Sequence, residues 1–173
     1  MTKLLHLIGD FERVSDHAVN IVESIEEKKD KNIRFSDEAF RELSVMKNAL
    51  TEILEMTRSA MDKNDLTIAF SVEPLEQVID YLRDELKLRH TIRLQQNRCS
   101  IELGFILTDI LTNFERVSDH CSNIASCLIE MSRSEAMDLH HYLSEIKDGT
   151  SKDFNLIYDG FMSKYSLPEA SKE

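Results

Sequence analysis

Seven residues occur twice in this chain. Residues 11–17 read Phe-Glu-Arg-Val-Ser-Asp-His, residues 114–120 read the same, and Asn20-Ile21 recurs as Asn123-Ile124. The constant offset of 103 residues marks a duplication into two half-domains rather than a short-period solenoid. Each copy carries two acids four residues apart, Glu12 with Asp16 and Glu115 with Asp119. On a helix such a pair stands on one face, one turn apart, and the like charges repel. A cation offsets that repulsion, and hard divalent or ferric cations take carboxylate oxygens. A third acidic run, Glu73, Glu76, Asp80 and Asp84, repeats the interval between Glu76 and Asp80. If its helix packs antiparallel to the helix of the second copy, Glu76, Asp80, Glu115 and Asp119 face one another across a groove. These four are the candidate metal ligands, with Glu73, Glu12 and Asp16 as weaker candidates. A lone acidic pair on a bundle rim is ordinarily solvated surface. The duplication and the facing pair together favour a metal.

Placing the second copy on a helical wheel separates the roles. At ~100° per residue, Val117, Cys121, Ile124, Ala125 and Leu128 fall on the side of Phe114 and form a buried arc. Glu115 and Asp119 lie on the edge of that arc. His120 lies about 140° around the wheel from Glu115, too far to share a metal with it, and Arg116 faces the same general side as His120. Arg116 and His120 are therefore expected at a partner or boundary contact. Leu75, Val78, Ile79, Leu82 and Leu86 form the matching apolar face beside the third acidic run.

Other chemistries lack their residues. The chain has no Glu-x-x-His of a ferritin-like di-iron site, no Gly-rich phosphate loop and no zinc spacing of Cys and His. No Ser or Cys has a base and an orienting acid beside it, so no catalytic residue is expected. The three cysteines, Cys99, Cys121 and Cys127, are an odd number and suggest a reducing compartment without a disulfide framework.

The elements that must position these acids are helices. Only 4 Gly and 2 Pro occur among 173 residues, too few turn formers for an all-β fold. Apolar residues at 3-4 spacing predict helices over 3–28, 36–63, 65–96 and 100–131, with shorter ones over 135–147 and 153–165. Pro74 should kink the third or split off its first turns. Helices of this length with short connections pack as an antiparallel bundle. The fold class is thus all-α, four long helices and a short helical tail, with domain limits of 1–133 and 134–173. A formal net charge of -11 argues against nucleic-acid binding and against adsorption to an anionic leaflet. No apolar run approaches the ~20 residues that span a bilayer.

The repeated Glu-Arg-x-x-Asp segment followed by Asn-Ile resembles the E/D-x-x-x-D signature of the PhoU family. That resemblance implies two repeated three-helix bundles, with the motif on the third helix of each. It also implies multinuclear metal binding there, with Fe first and Mn, Mg or Zn as alternatives, and regulation of phosphate uptake. Glu73-Pro74-Leu75-Glu76, Arg89-His90, Arg93-Leu94-Gln95, Cys99, Leu111 to Arg116 and Tyr165 to Glu169 look like the PhoU-like domain that ends bacterial sodium/phosphate cotransporters. By that likeness the chain is a cytoplasmic regulatory domain of such a transporter, at the inner face of the plasma membrane. A free-standing PhoU-type regulator of phosphate ABC transport, or a metal-free helical interaction module, is the alternative. A full domain of this kind has two helices before its first motif helix, and here the first motif begins at residue 11. Glu12 and Asp16 then lack a facing helix. The first helix should either pair with a second chain, as a homodimer, or dock onto the second bundle.

Overall fold

The computed structural model describes residues 2–132 and 152–169. The expected helix over 135–147 and the boundary at 133/134 lie outside the described residues. Among the described residues six helices follow in order: α1 (Thr2–Asp30), α2 (Asp37–Lys63), α3 (Leu66–Phe70), α4 (Val72–Gln95), α5 (Ile101–Ser132) and α6 (Lys152–Lys164). No strand occurs among the described residues.

Local chemistry sets most of the helix limits. The hydroxyls of Ser36 and Ser100 accept the amides of Ala39 and Leu103 at 3.2 Å, and Asp65 caps α3 through Thr67 and Ile68. Asn32, Asn64 and Asn97 end α1, α2 and α4 with φ of 53°, 49° and 56°. Asparagine tolerates this left-handed geometry better than other side chains, and here it fills the place glycine usually takes. The single helix expected over 65–96 is divided at Ser71 into α3 and α4. Pro74 stands in the first turn of α4, where its missing N–H costs no hydrogen bond.

The core sits between α2, α4 and α5. Met46, Ile53, Leu75, Ile79, Leu82, Ile106, Ile110 and Leu111 are fully or almost fully buried. The arc expected on α5 is buried throughout, from Phe114 to Leu128. The helices α4 and α5 run antiparallel, since Glu73 meets Ser122 and Arg83 meets Glu115. Gly104 permits their close approach at one end. A Cβ there would lie 2.7 Å from His90 Nε2, and His90 is buried. The tail closes on the same side. Arg89 donates to the Pro168 carbonyl at 2.6 Å, the Tyr165 hydroxyl donates to Glu52, and the Lys164 ammonium lies 2.6 Å from Glu52.

Helix α1 docks onto α5 of its own chain. Here the duplication becomes visible as a pseudo-twofold contact. His17 and His120, equivalent residues of the two copies, stack with ring centroids 5.6 Å apart. His120 Nδ1 donates to Asp10 at 2.9 Å, and His17 Nδ1 donates to the Asn113 amide oxygen at 2.8 Å. Asp10 and Asn113 are themselves equivalent positions.

The apolar stripe expected on α1 is split lengthwise. Leu7 is buried and Val14 and Ile21 are partly covered, whereas Leu4, Phe11, Ala18 and Ile25 are exposed. Leu5, Ile8, Val19 and Val22 are also exposed. An apolar cavity of about 480 Å³ lies where Phe11 and Val14 approach Leu54, Met61, Cys121 and Ile124.

Gly104→Ala should force His90 aside and destabilise the protein by about 1–3 kcal/mol, the usual cost of overpacking. Urea unfolding checks this, and an unchanged midpoint would mean that His90 yields without cost.

Candidate metal centre

The acidic edges of α4 and α5 meet because their apolar faces do. Leu75, Val78, Ile79 and Leu82 are buried against α5, which brings the neighbouring acids of α4 to the rim of the interface. One carboxylate oxygen each from Glu76, Asp80 and Asp119 can be chosen so that all lie within 4.8 Å of one another. This group mixes both helices and both acidic pairs. Glu73, at the start of α4, is buried and accepts a hydrogen bond from the Ser122 hydroxyl.

Burial and like charge shape the protonation of the group. Burial, then the carboxylates of Glu73, Asp80 and Asp119, push the Glu76 carboxyl up from 4.5 to about 8. Burial also raises Asp80, and the Arg83 guanidinium opposes it. Asp84, exposed and hydrogen-bonded to Arg83, lies below the usual carboxylate range. Asp80 Oδ1 is shut off from water and accepts no hydrogen bond, with Arg83 Nη1 at 3.3 Å. A buried carboxylate oxygen that accepts no hydrogen bond and an all-oxygen donor set suit a hard divalent or ferric cation.

Three of the candidate ligands stand apart from this group. Glu115 lies outside the group of three, because Arg83 Nη1 holds its Oε1 at 2.7 Å. Glu12 and Asp16 are exposed on α1 and face no described acidic helix. Of the two residues expected at a partner contact, Arg116 is exposed, 3.7 Å from Asp119 and from Glu115. His120 instead turns inward onto α1, drawn by Asp10 and His17.

Sequence reasoning passed over two features. Arg83 reads as an ordinary surface residue, yet it is tucked between Asp80, Asp84 and Glu115. Its spacing from Asp80 and Asp84 was the signal available. Glu42 sits at a core position of α2 and is 1% exposed, held by Arg93 at 2.8 Å and Arg89 at 3.0 Å. Glu42, Arg89 and Arg93 all carry charge at helix positions facing inward, a pattern that marks a buried ion network.

The acidic edges of α4 and α5 thus meet at a carboxylate cluster in an all-helical bundle. Residues 43–128 match the family profile of the PhoU domain. The matched span, about half of the chain, takes in most of α2, all of α3 and α4, and α5 as far as Leu128. It is similar to the phosphate-specific transport system accessory protein PhoU homolog 1 of Thermotoga maritima, at 24% identity over 147 residues, 85% of this chain and 62% of that one. It is also similar to the phosphate-specific transport system accessory protein PhoU homolog of Deinococcus radiodurans, at 24% over 122 residues, 70% of this chain and 56% of that one. The chain therefore spans about three fifths of the length of the curated relatives it matches. No solved structure matches it significantly. No described helix is long and apolar enough to cross a membrane.

The Glu76 shift sets a sign for pH dependence. Between 4.5 and about 8 the folded metal-free protein holds a proton that the unfolded chain releases. The stability this contributes is lost as pH rises through that window. Glu76→Gln should flatten the decline in melting temperature between about pH 5 and pH 8.5. Parallel curves for the two proteins would refute the assignment.

Proposed function

We propose that this chain is a regulatory module of phosphate transport, not an enzyme, and that the α4–α5 groove holds a divalent or ferric metal ion. The observation that carries this reading is the convergence of Glu76, Asp80 and Asp119 within the span that matches the PhoU domain. The names of the two relatives, both accessory proteins of phosphate-specific transport, support the phosphate context. Glu76, Asp80 and Asp119 would hold the metal, with Glu115 and Glu73 beside it. When bound, the ion supplies positive charge that ties α4 to α5. Iron is the first choice by family resemblance, with Mn, Mg or Zn compatible with the same oxygens.

The partner is a phosphate transporter, and the module works on the cytoplasmic face of the plasma membrane. Two forms of this reading differ in where the membrane part lies. In one, this is the regulatory domain of a sodium/phosphate cotransporter. In support, two of the segments that resemble such domains meet in one latch, where Arg89 donates to the Pro168 carbonyl. In the other, it is a free-standing regulator of a phosphate ABC transporter, as the relatives' names suggest. The exposed apolar side of α1 supports self-association as a homodimer through that helix.

Three experiments test these statements. In cells expressing the chain with its transporter, Asp80→Ala and Asp119→Ala should each release phosphate uptake from control at high external phosphate. The same purified variants should lose the metal that the unaltered chain retains by elemental analysis, while Glu12→Ala and Asp16→Ala keep it. Full metal retention in Asp80→Ala and Asp119→Ala would remove the site. For assembly, sedimentation equilibrium should show a dimer at micromolar concentration, and Ile8→Asp with Phe11→Asp should yield a monomer. A monomeric unaltered chain would end the dimer reading.

A further inference from the structure

The seam between α4 and α5 already contains a cation of the protein's own. Arg83 projects from α4 with its side chain only 19% exposed. Its Nη1 lies 2.7 Å from Glu115 Oε1 and 3.3 Å from Asp80 Oδ1, and its Nε donates to Asp84 Oδ1 at 2.9 Å. The guanidinium thus sits on two of the four acids that the repeat and the third acidic run bring together. One of these, Asp80, belongs to the group of three with Glu76 and Asp119. The other, Glu115, stands outside that group, and its Oε1 is committed to Arg83. Arg116, the other arginine at the site, is 56% exposed and no closer than 3.7 Å to its acids. It screens the site from the rim without entering it.

We propose that Arg83 is a resident counter-cation that competes with metal for Asp80 and Glu115, so that metal loading requires its guanidinium to withdraw toward Asp84. The inference rests on the metal reading of the groove stated above. Two positive groups cannot share Asp80 without repulsion, which at short range in a partly buried site is strong. Asp84 gives the displaced guanidinium a solvated partner one turn further along the same helix. Its release frees Glu115 to turn toward the metal as a fourth carboxylate. Arg83 is therefore a positioning residue. It holds the four-carboxylate site closed, and α4 against α5, in the absence of metal, and it lowers the site's affinity for any cation.

Titration of the metal-free chain with Mn2+ alone, followed by calorimetry and by the Mn2+ paramagnetic resonance signal, tests this. Arg83→Met keeps the apolar stem and removes the charge, and should bind Mn2+ roughly tenfold more tightly than the unaltered chain, as expected when a close ion pair no longer competes. Arg83→Lys keeps the charge and should stay near the unaltered affinity. Metal-free Arg83→Met should also melt at lower temperature than the unaltered protein, with the difference closing when Mn2+ is bound. A merely structural Arg83 would lower both melting temperatures equally and leave Mn2+ affinity unchanged, and that result overturns the inference while the metal site stands. If Arg83→Met does not fold, Glu115→Gln reports instead. It removes one partner of Arg83, and its Mn2+ affinity should fall because a fourth ligand is lost; an unchanged affinity overturns the inference. Absence of Mn2+ binding in every protein, the unaltered chain included, removes the metal reading and this inference with it.

Discussion

Negative charge along the seam of α4 and α5 is the constraint that the rest of the structure answers. Burying Leu75, Val78, Ile79 and Leu82 against Ile110, Leu111, Phe114 and Val117 forces the acidic edges of both helices to the same rim. The packing gain is hydrophobic and non-directional. The electrostatic cost is local and specific, because carboxylates brought close in a partly dry site oppose one another's ionisation. The protein meets that cost in three ways at once: Arg83 on Glu115 and Asp80, the Ser122 hydroxyl on Glu73, and a proton retained on Glu76. Each of these offsets the repulsion with a group that the chain itself supplies.

The duplication shows what happens when one copy of a motif has its neighbours and the other does not. In the second copy, Phe114, Ala125 and Leu128 are buried under α2 and α4. Their equivalents Phe11, Val22 and Ile25 in the first copy are exposed. The residues are as apolar in one place as in the other, so the difference comes from the surroundings. What the two copies do share is the face turned toward each other. The stacked His17 and His120, with Asp10 and Asn113 as their acceptors, form a polar seam in a contact that would otherwise be set by sparse aliphatic packing. Hydrogen-bonded seams of this kind fix register more strictly than apolar contact does.

Two ion networks lie on opposite ends of α4 and behave differently. Toward its C-terminal end, Arg89 and Arg93 enclose the buried Glu42, and Arg89 also reaches the tail at Pro168. There, arginines and acids balance within the fold, and the network ties α2, α4 and the tail together. Toward the N-terminal half, acids outnumber cations. Glu73, Glu76, Asp80, Asp84, Glu115 and Asp119 have Arg83 and the rim residue Arg116 between them. The first network closes its charges within the fold, and the second leaves a net negative charge on the seam.

The sequence by itself determined where the long helices run and the buried faces of α4 and α5. These depend on local backbone chemistry and on a 3.6-residue period, both written in neighbouring residues. It also pointed to a meeting of two acidic helix edges, on the condition that their helices pack antiparallel, as α4 and α5 do. The tertiary structure alone decided which acids converge. Glu115 and Asp119 are equivalent by spacing, but a cation from another helix, Arg83, draws one away and leaves the other. It decided as well that His120 faces α1 and that half of the α1 stripe stays bare. Each of these outcomes depends on a residue far away in the chain, at a distance that periodicity within one helix does not encode.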